Sequence, residues 1–326
     1  MTDTLKKTRL GWIGMGRMGT PMASRLAKAG CRIEVYNRTK AKAQPVADYG
    51  AGIVEVPADL AACDVVFSMV STSDDLKQVL FGTDGVFTRA GTHPAIFVDC
   101  SSIGEEASAE IRKKLAEVGC QFLAAPVSGN GKCVKAGKIS MVVSGPKTAF
   151  DKVEVFLDLI AGMGVSWVGE NEEARFVKIA HNLMLGVVIQ NLIEITVLCE
   201  KAGVPRHAFL DFMNKSVMGS TFTRYKTPSL VNLDYTTTFT PALLKKDLDL
   251  GLSAARKLGV ALPTVACTRE VLQAHIGAGT LIGGDYLEKD FTTLMDSQAR
   301  ASGMTLTSEN KTIADGLTDP VKVAAE

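Results

Sequence analysis

The segment Gly14-Met15-Gly16-Arg17-Met18-Gly19 constrains the fold of this chain more than any other part of it. It follows the apolar run LGWIG (10–14) and opens the helical pattern PMASRLAKAG (21–30). In a strand that turns into a helix through glycines at this spacing, each glycine has a physical task. The first permits the tight turn, the second lets backbone approach a pyrophosphate, and the third lets helix pack on strand. The helix N-terminus then offers unpaired N–H groups and a positive dipole end to phosphates. Pro21 suits a first helical turn, where no intrahelical hydrogen bond is lost. Such glycines also make plain turns. Here the flanking strand and helix favour a dinucleotide-binding βαβ unit with Gly14, Met15, Gly16, Arg17, Met18 and Gly19 against the cofactor.

The rest of the first half agrees. Short apolar runs recur at 32–36, 64–70, 95–100, 121–127, 140–145 and 165–169. Several are unbroken rather than alternating, which suits strands covered on both faces. Helical patterns such as EEASAEIRKKLAEVG (105–119) lie between them and close at glycine. Strand alternating with helix predicts an α/β fold with a doubly wound parallel sheet. Beyond residue 170 the texture changes to long helical patterns at 173–203, 206–215, 241–259 and 263–277. The first of these contains no proline and one interior glycine, Gly186, which costs about 1 kcal/mol against alanine. The 326 residues therefore divide into a Rossmann-type domain over 1–172, an all-helical domain over 173–303 joined through a long helix, and a polar tail over 304–326 expected to pack loosely.

Composition narrows the partners. Lys and Arg number 36 against 35 Asp and Glu, so nothing points to nucleic acid or a membrane surface. Polar residues interrupt the apolar stretch 179–199, which reads as a buried helix rather than a membrane span. The seven cysteines show no C-x-x-C pairing and sit mostly among apolar neighbours. They predict a reducing, cytoplasmic setting without disulfides. The scattered histidines have no metal-ligand spacing, so no metal is expected.

The second strand run ends at Asn37, Arg38 and Thr39. Sites that prefer NAD usually carry Asp or Glu there for the ribose 2′-hydroxyl. Arg38 instead suits a 2′-phosphate, with Lys40 and Lys42 just beyond. The expectation is NADP, with NAD possible.

Four segments then carry a resemblance: GWIGMGRMGTPMASRL (11–26), VDCSSI (98–103) with APVSGN (125–130), VKIAHN (177–182), and FTPALLKKDLDLG (239–251). In this order the chain, from about 9 to 303, resembles the β-hydroxyacid dehydrogenase family. That family includes 3-hydroxyisobutyrate dehydrogenases, tartronate semialdehyde reductases and glyoxylate/succinic semialdehyde reductases. The resemblance implies hydride transfer between a nicotinamide and a small 3-hydroxy or 2-oxo acid. It implies Lys178 as general acid/base with Asn182 in support, on one helix face at i, i+4. It implies Ser128, Gly129 and Asn130 at the substrate carboxylate, and Phe239 and Asp247 at the substrate. It places Val70, Ser71, Ser102 and Lys246 at the cofactor, with Ser101 beside Ser102. It also implies a homodimer or homotetramer.

A lysine ordinarily titrates at about 10.4, so alcohol oxidation near neutrality gains from anything that favours the neutral amine. The chain departs from the family at Ser71, often Pro, at Asn130, often Gly, and at His181, often Asn. Asn130 is expected to add a side chain where the family keeps the pocket open. His181 is either a core histidine or a modifier of the catalytic face. Arg224, Tyr225 and Lys226 are either surface residues or contacts for a second polar group on a larger substrate. An imine reductase of the same plan is disfavoured by Lys178, and a non-catalytic dinucleotide-binding module by the survival of every chemical motif.

Overall fold

The computed structural model describes residues 2–317. Its contacts divide the chain into two units, one up to Lys178 and one from Ile179 onward.

In the first unit the apolar runs form one nine-stranded sheet. The strands are β1 (Arg9–Ile13), β2 (Arg32–Tyr36), β3 (Gly52–Ile53), β4 (Val65–Ser68), β5 (Ile96–Asp99), β6 (Gln121–Ala124), β7 (Val127–Ser128), β8 (Ser140–Ser144) and β9 (Val165–Gly169). The order β3-β2-β1-β4-β5-β6 is parallel throughout. It is the dinucleotide-binding order that the glycine motif requires. Every residue of β4 and β5 is buried, which explains their unbroken apolar runs. Trp12 of β1 stacks on Phe67 of β4. Apolar side chains of the Ser73–Phe81 and Glu105–Glu117 helices, among them Leu76, Leu80, Ile111 and Leu115, close the core over Val66, Phe97 and Phe122.

The far edge of the sheet departs from the all-parallel expectation. β8 runs antiparallel to both β6 and β7, while β9 is parallel to β8. The run 121–127 is two strands, not one. Pro126 has no N–H to give a ladder, so β6 stops at Ala124 and the chain re-enters the sheet as β7.

The boundary between the units falls at Lys178 rather than 172. The cause is local. The first turn of the Glu173–Lys201 helix is built into the sheet unit, where the Ala174 amide donates to Ser144 Oγ at 3.1 Å and the Arg175 side chain is buried.

The second unit is helical. Beyond the continuation of the Glu173–Lys201 helix it contains Arg206–Lys215, Thr221–Asn232, Pro241–Leu258, Pro263–Ile282 and Leu294–Ala301. Ile189, Ile193, Val197, Leu244, Leu248, Leu272 and Met295 form its core. The interior glycine has a packing reason. A Cβ on Gly186 would lie 3.0 Å from Leu248, and one on Gly251 would lie 2.4 Å from Leu183, so the two helices cross closely there. The Thr221–Asn232 helix carries Pro228 inside it, which hides it in the sequence. Ser220 and Thr223 start it with a capping box.

The Glu173–Lys201 helix is long and apolar enough to cross a membrane by length and composition, and 44% of its most apolar stretch is buried. Met184 and Leu198 lie on its exposed face.

The tail is a correction to the expectation of loose packing. Met304, Leu306 and Ile313 pack against the helical core. Glu309 accepts from the Arg206 amide at 2.7 Å and the His207 amide at 3.1 Å. Asn232 and Lys311 exchange two hydrogen bonds. The few apolar residues are spaced to reach the core, and the polar composition around them conceals this. Residues 318–326 of the expected tail lie outside the described residues.

Candidate active site

The C-terminal edge of the parallel strands gathers the motifs of the first unit, as it does in open α/β sheets. The chain turns there after β1 at Gly14, after β2 at Asn37, after β4 at Val70 and after β5 at Ser101. Two antiparallel steps, β6 to β8 and β8 to β7, bring Ser128 to that edge as well.

The three glycines divide the tasks that the motif assigns them. Gly14 has φ +97°, and a Cβ there would meet the Met69 carbonyl oxygen at 2.2 Å. A Cβ on Gly19 would lie 1.9 Å from the Gly14 oxygen, where helix meets strand. Gly16 has nothing within 4 Å of such a Cβ. It is the open glycine, where a pyrophosphate needs bare backbone. The residues present therefore fit a dinucleotide on steric grounds.

A cavity of about 370 Å³ runs from this turn along the strand ends. Gly14, Met15 and Gly16 line one side of it, Asn37, Arg38, Thr39 and Lys42 another, and Val70, Ser71 and Asp75 a third. Asn37 organises the corner, since its Oδ1 accepts from the Met15 amide at 2.8 Å and its Nδ2 donates to the Thr39 carbonyl. The Met15 amide is thereby committed to protein. Arg38 is 90% exposed and pairs loosely with Asp75 at 3.9 Å. Lys40 is held by Glu55, which leaves Lys42 as the other cation on the cavity wall. Arg17 and Met18 stand outside the lining residues, although both belong to the glycine turn.

The Ser128-Gly129-Asn130 segment packs next to the glycine turn. A Cβ on Gly131 would lie 2.7 Å from the Arg17 carbonyl oxygen. Gly129, at φ +125°, has no room for a side chain against Ile139. Asn130, expected to add a side chain to the pocket, is half-buried and serves the local backbone. Its Oδ1 accepts from the amides of Lys132 and Cys133 and caps the Gly131–Lys135 helix.

A buried polar cluster lies under the loops after β4 and β5. Asp99 Oδ1 accepts from Ser68 Oγ at 2.7 Å and Ser101 Oγ at 2.6 Å, and Asp99 Oδ2 accepts from Arg175 at 2.6 Å. Ser101 Oγ in turn accepts from the Val70 amide at 2.9 Å. Ser101 is buried in this cluster, while Ser102, the cofactor candidate, is exposed beside it. Lys178 lies half-buried one helical turn beyond Arg175. Neither Arg175 nor Asp99 stood out in the sequence. The available signal was a charge at the end of an otherwise apolar strand run. Burial pushes the neighbouring Cys100 thiol above its ordinary range, so it supplies no thiolate.

In the helical unit, Asn182 donates to Asp247 Oδ2 at 2.7 Å, and Lys246 lies 3.7 Å from Asp247 Oδ1. Asp247 can only accept, so the Asn182 amide must turn its Nδ2 toward it. Oδ1 then faces His181 Nδ1 at 3.0 Å. His181 is exposed, so it is not a core histidine. Phe239 meets Phe291 edge-on at 6.0 Å, and its amide donates to Asp290. Lys226 is neither surface nor a free contact for substrate. It is 3% exposed and pairs with Asp290 at 2.7 Å. Burial works against a charged Asp290, yet the Lys226 ammonium and the Thr238 donors outweigh it and hold the carboxyl below its ordinary range.

Residues 9–169 match the NAD binding domain of 6-phosphogluconate dehydrogenase, and residues 173–296 match the family described as NAD-binding of NADP-dependent 3-hydroxyisobutyrate dehydrogenase. The chain is 30% identical to glyoxylate/succinic semialdehyde reductase 2 of Arabidopsis thaliana, over 90% of this chain and 80% of that protein. It belongs to the β-hydroxyacid dehydrogenase-like family. It is also 31% identical to 2-hydroxy-3-oxopropionate reductase of Escherichia coli, over 83% of this chain and 92% of that one. A crystal structure of 3-hydroxyisobutyrate dehydrogenase from Salmonella typhimurium superposes with a TM-score of 0.76 at 25% identity, covering 89% of this chain and all of that one. The chain is thus a member of an NAD(P)-dependent dehydrogenase/reductase family.

Proposed function

We propose that the chain is an NADP(H)-dependent enzyme interconverting a short hydroxy acid with its semialdehyde or 2-oxo acid, with Lys178 as the proton carrier. What carries this reading is the position of Lys178 on a turn of helix rooted in the buried cluster under the cofactor loops. The dinucleotide, when bound, supplies or accepts the hydride. Gly16 leaves room for its pyrophosphate, and Val70 and Ser71 line the same cavity. Arg38 and Lys42 provide positive charge where a 2′-phosphate would lie, and no carboxylate follows β2 to repel it.

The proton balance follows from the direction. In reduction the carbonyl carbon gains a hydride and its oxygen gains negative charge, and the Lys178 ammonium gives that oxygen a proton. In oxidation the neutral Lys178 amine takes the hydroxyl proton as hydride leaves the carbon. The Ser128 hydroxyl and Gly129 amide are suited to a carboxylate, which fixes the acid end of the substrate.

The test is NADPH consumption with glyoxylate, succinic semialdehyde, tartronate semialdehyde and methylmalonate semialdehyde, compared with NADH. Turnover of at least one acid, with NADPH preferred, is expected. Tight NADPH binding without turnover of any of these acids would contradict the reading. We also assign self-association to the helical unit, whose Met184, Leu198, Phe212 and Leu281 are apolar and largely exposed. Sedimentation velocity tests this, and a monomer at micromolar concentration would refute it.

A further inference from the structure

Arg175 is among the largest fully buried side chains of the protein, and its charge faces no water. Taking an ion pair out of water costs several kcal/mol per ion, and a well-packed apolar pair is often as stable or more so. Stability alone therefore gives a weak reason for Arg175 and Asp99. Their geometry gives a stronger one. The guanidinium donates through Nη2 to Asp99 Oδ2 at 2.6 Å, through Nη1 to the Ser101 carbonyl, and through Nε to Ser108 Oγ at 3.2 Å. Three acceptors in fixed directions use the planar fork of arginine, which a lysine ammonium cannot reproduce.

These bonds reach several elements of the sheet unit. Asp99 ends β5, Ser101 lies in the loop after it, and Ser108 lies in the Glu105–Glu117 helix. Through Ser101 Oγ the cluster also holds the Val70 amide on the cofactor cavity, and through Asp99 Oδ1 it holds Ser68. Lys178 is three residues past Arg175, about 4.5 Å along the helix axis and on a neighbouring face. A rotation of this first turn would swing Lys178 about the axis, and reacting groups displaced by about 1 Å lose up to about a hundredfold in rate.

We propose that Arg175 is a positioning residue for the proposed proton carrier. Its guanidinium, locked to Asp99, the Ser101 carbonyl and Ser108, sets the rotation of the helix start and so the direction of the Lys178 amine relative to the cofactor loop. This rests on the reading of Lys178 given above.

The experiment is a double-mutant cycle between Arg175→Lys and Lys178→Ala, on the full chain with NADPH and the best acid substrate. Arg175→Lys keeps the charge opposite Asp99 and loses the fork. The folded variant is expected to hold NADPH affinity and acid KM within about threefold. Its kcat should fall about tenfold or more, with a shifted limb in the pH profile of kcat. In the Lys178→Ala background the same substitution should change the residual rate little, because it has no lysine to misplace. Equal losses in both backgrounds, or a loss accounted for wholly by weaker NADPH binding, would overturn the proposal. So would an unchanged kcat. Undiminished activity in Lys178→Ala alone would instead overturn the proton-carrier reading beneath it. Ser108→Ala removes a single bond and is the variant to use if Arg175→Lys does not fold. It should lower kcat about two- to fivefold in the lysine background only, and no change would count against the proposal.

Discussion

Asn182 and Asp247 lie sixty-five positions apart and meet in a 2.7 Å hydrogen bond in which the amide of one donates to the carboxylate of the other. The bond forms where two helices cross at Gly186 and Gly251, each too crowded for a side chain without adjustment. It also fixes the roles around it. The carboxylate takes the Asn182 N–H, so the Asn182 oxygen is left to His181, which must donate from Nδ1.

A swap of the pair follows from those roles. Asn182→Asp sets two acceptors against each other and should destabilise the helical unit by about 2 kcal/mol or more. Adding Asp247→Asn restores one donor and one acceptor and should recover most of that loss. Thermal denaturation of the single and double variants checks it. A double variant no more stable than Asn182→Asp would mean that the bond does not contribute as described.

The proposed preference for NADP rests on Arg38, whose side chain lines the cavity and pairs loosely with Asp75 at 3.9 Å. Arg38→Asp should weaken NADPH binding about ten- to a hundredfold, the worth of one charge-assisted hydrogen bond, and favour NADH. Fluorescence titration with both nucleotides measures this directly. An unaltered preference would move the assignment to Lys42 or to backbone donors.

His275 makes acid stability of the helical unit predictable. Its ring is 2% exposed and bonds Ser297 and Thr293. Burial, with a smaller push from the Arg300 charge, lowers its pKa to about 4. Below the ordinary value of about 6.5 the unfolded chain takes up a proton that the native ring refuses, so native stability falls as the pH drops from about 6.5 toward 4. The loss is on the order of 2–3 kcal/mol. Urea denaturation at neutral pH and near pH 4.5 should show this slope, and His275→Asn should flatten it. The same slope in the variant would assign it to other groups.

How much of this was legible in the sequence depends on the range of the interaction. The glycine turn, the apolar strand runs and the Arg206–Lys215 helix follow from neighbours a few residues away, and they stand where their patterns put them. The split of β6 from β7 at Pro126, and the antiparallel β8, depend on pairing that spacing alone does not encode. The Thr221–Asn232 helix was masked by its own proline, and the tail by its polar composition. Among the candidate site residues, Lys178, Ser128 and the glycines were proposed from motif alone. Arg175, Asp99 and the Lys226–Asp290 pair were not, because a charge becomes informative only once its burial is known. Asn130 was legible as a residue of the loop but not as a helix cap, since capping depends on the short helix that follows.

Lys178 is the proposed proton carrier. The measurement that tests it most directly is the pH profile of kcat for NADPH-driven reduction by the wild-type chain and by Lys178→Ala, with NADPH affinity measured alongside. We predict a fall in kcat of about a hundred- to ten-thousandfold, the usual contribution of a positioned acid, with NADPH affinity unchanged and the lysine limb of the profile gone. A Lys178→Ala enzyme that turns over at the wild-type rate with the same pH profile would contradict the account.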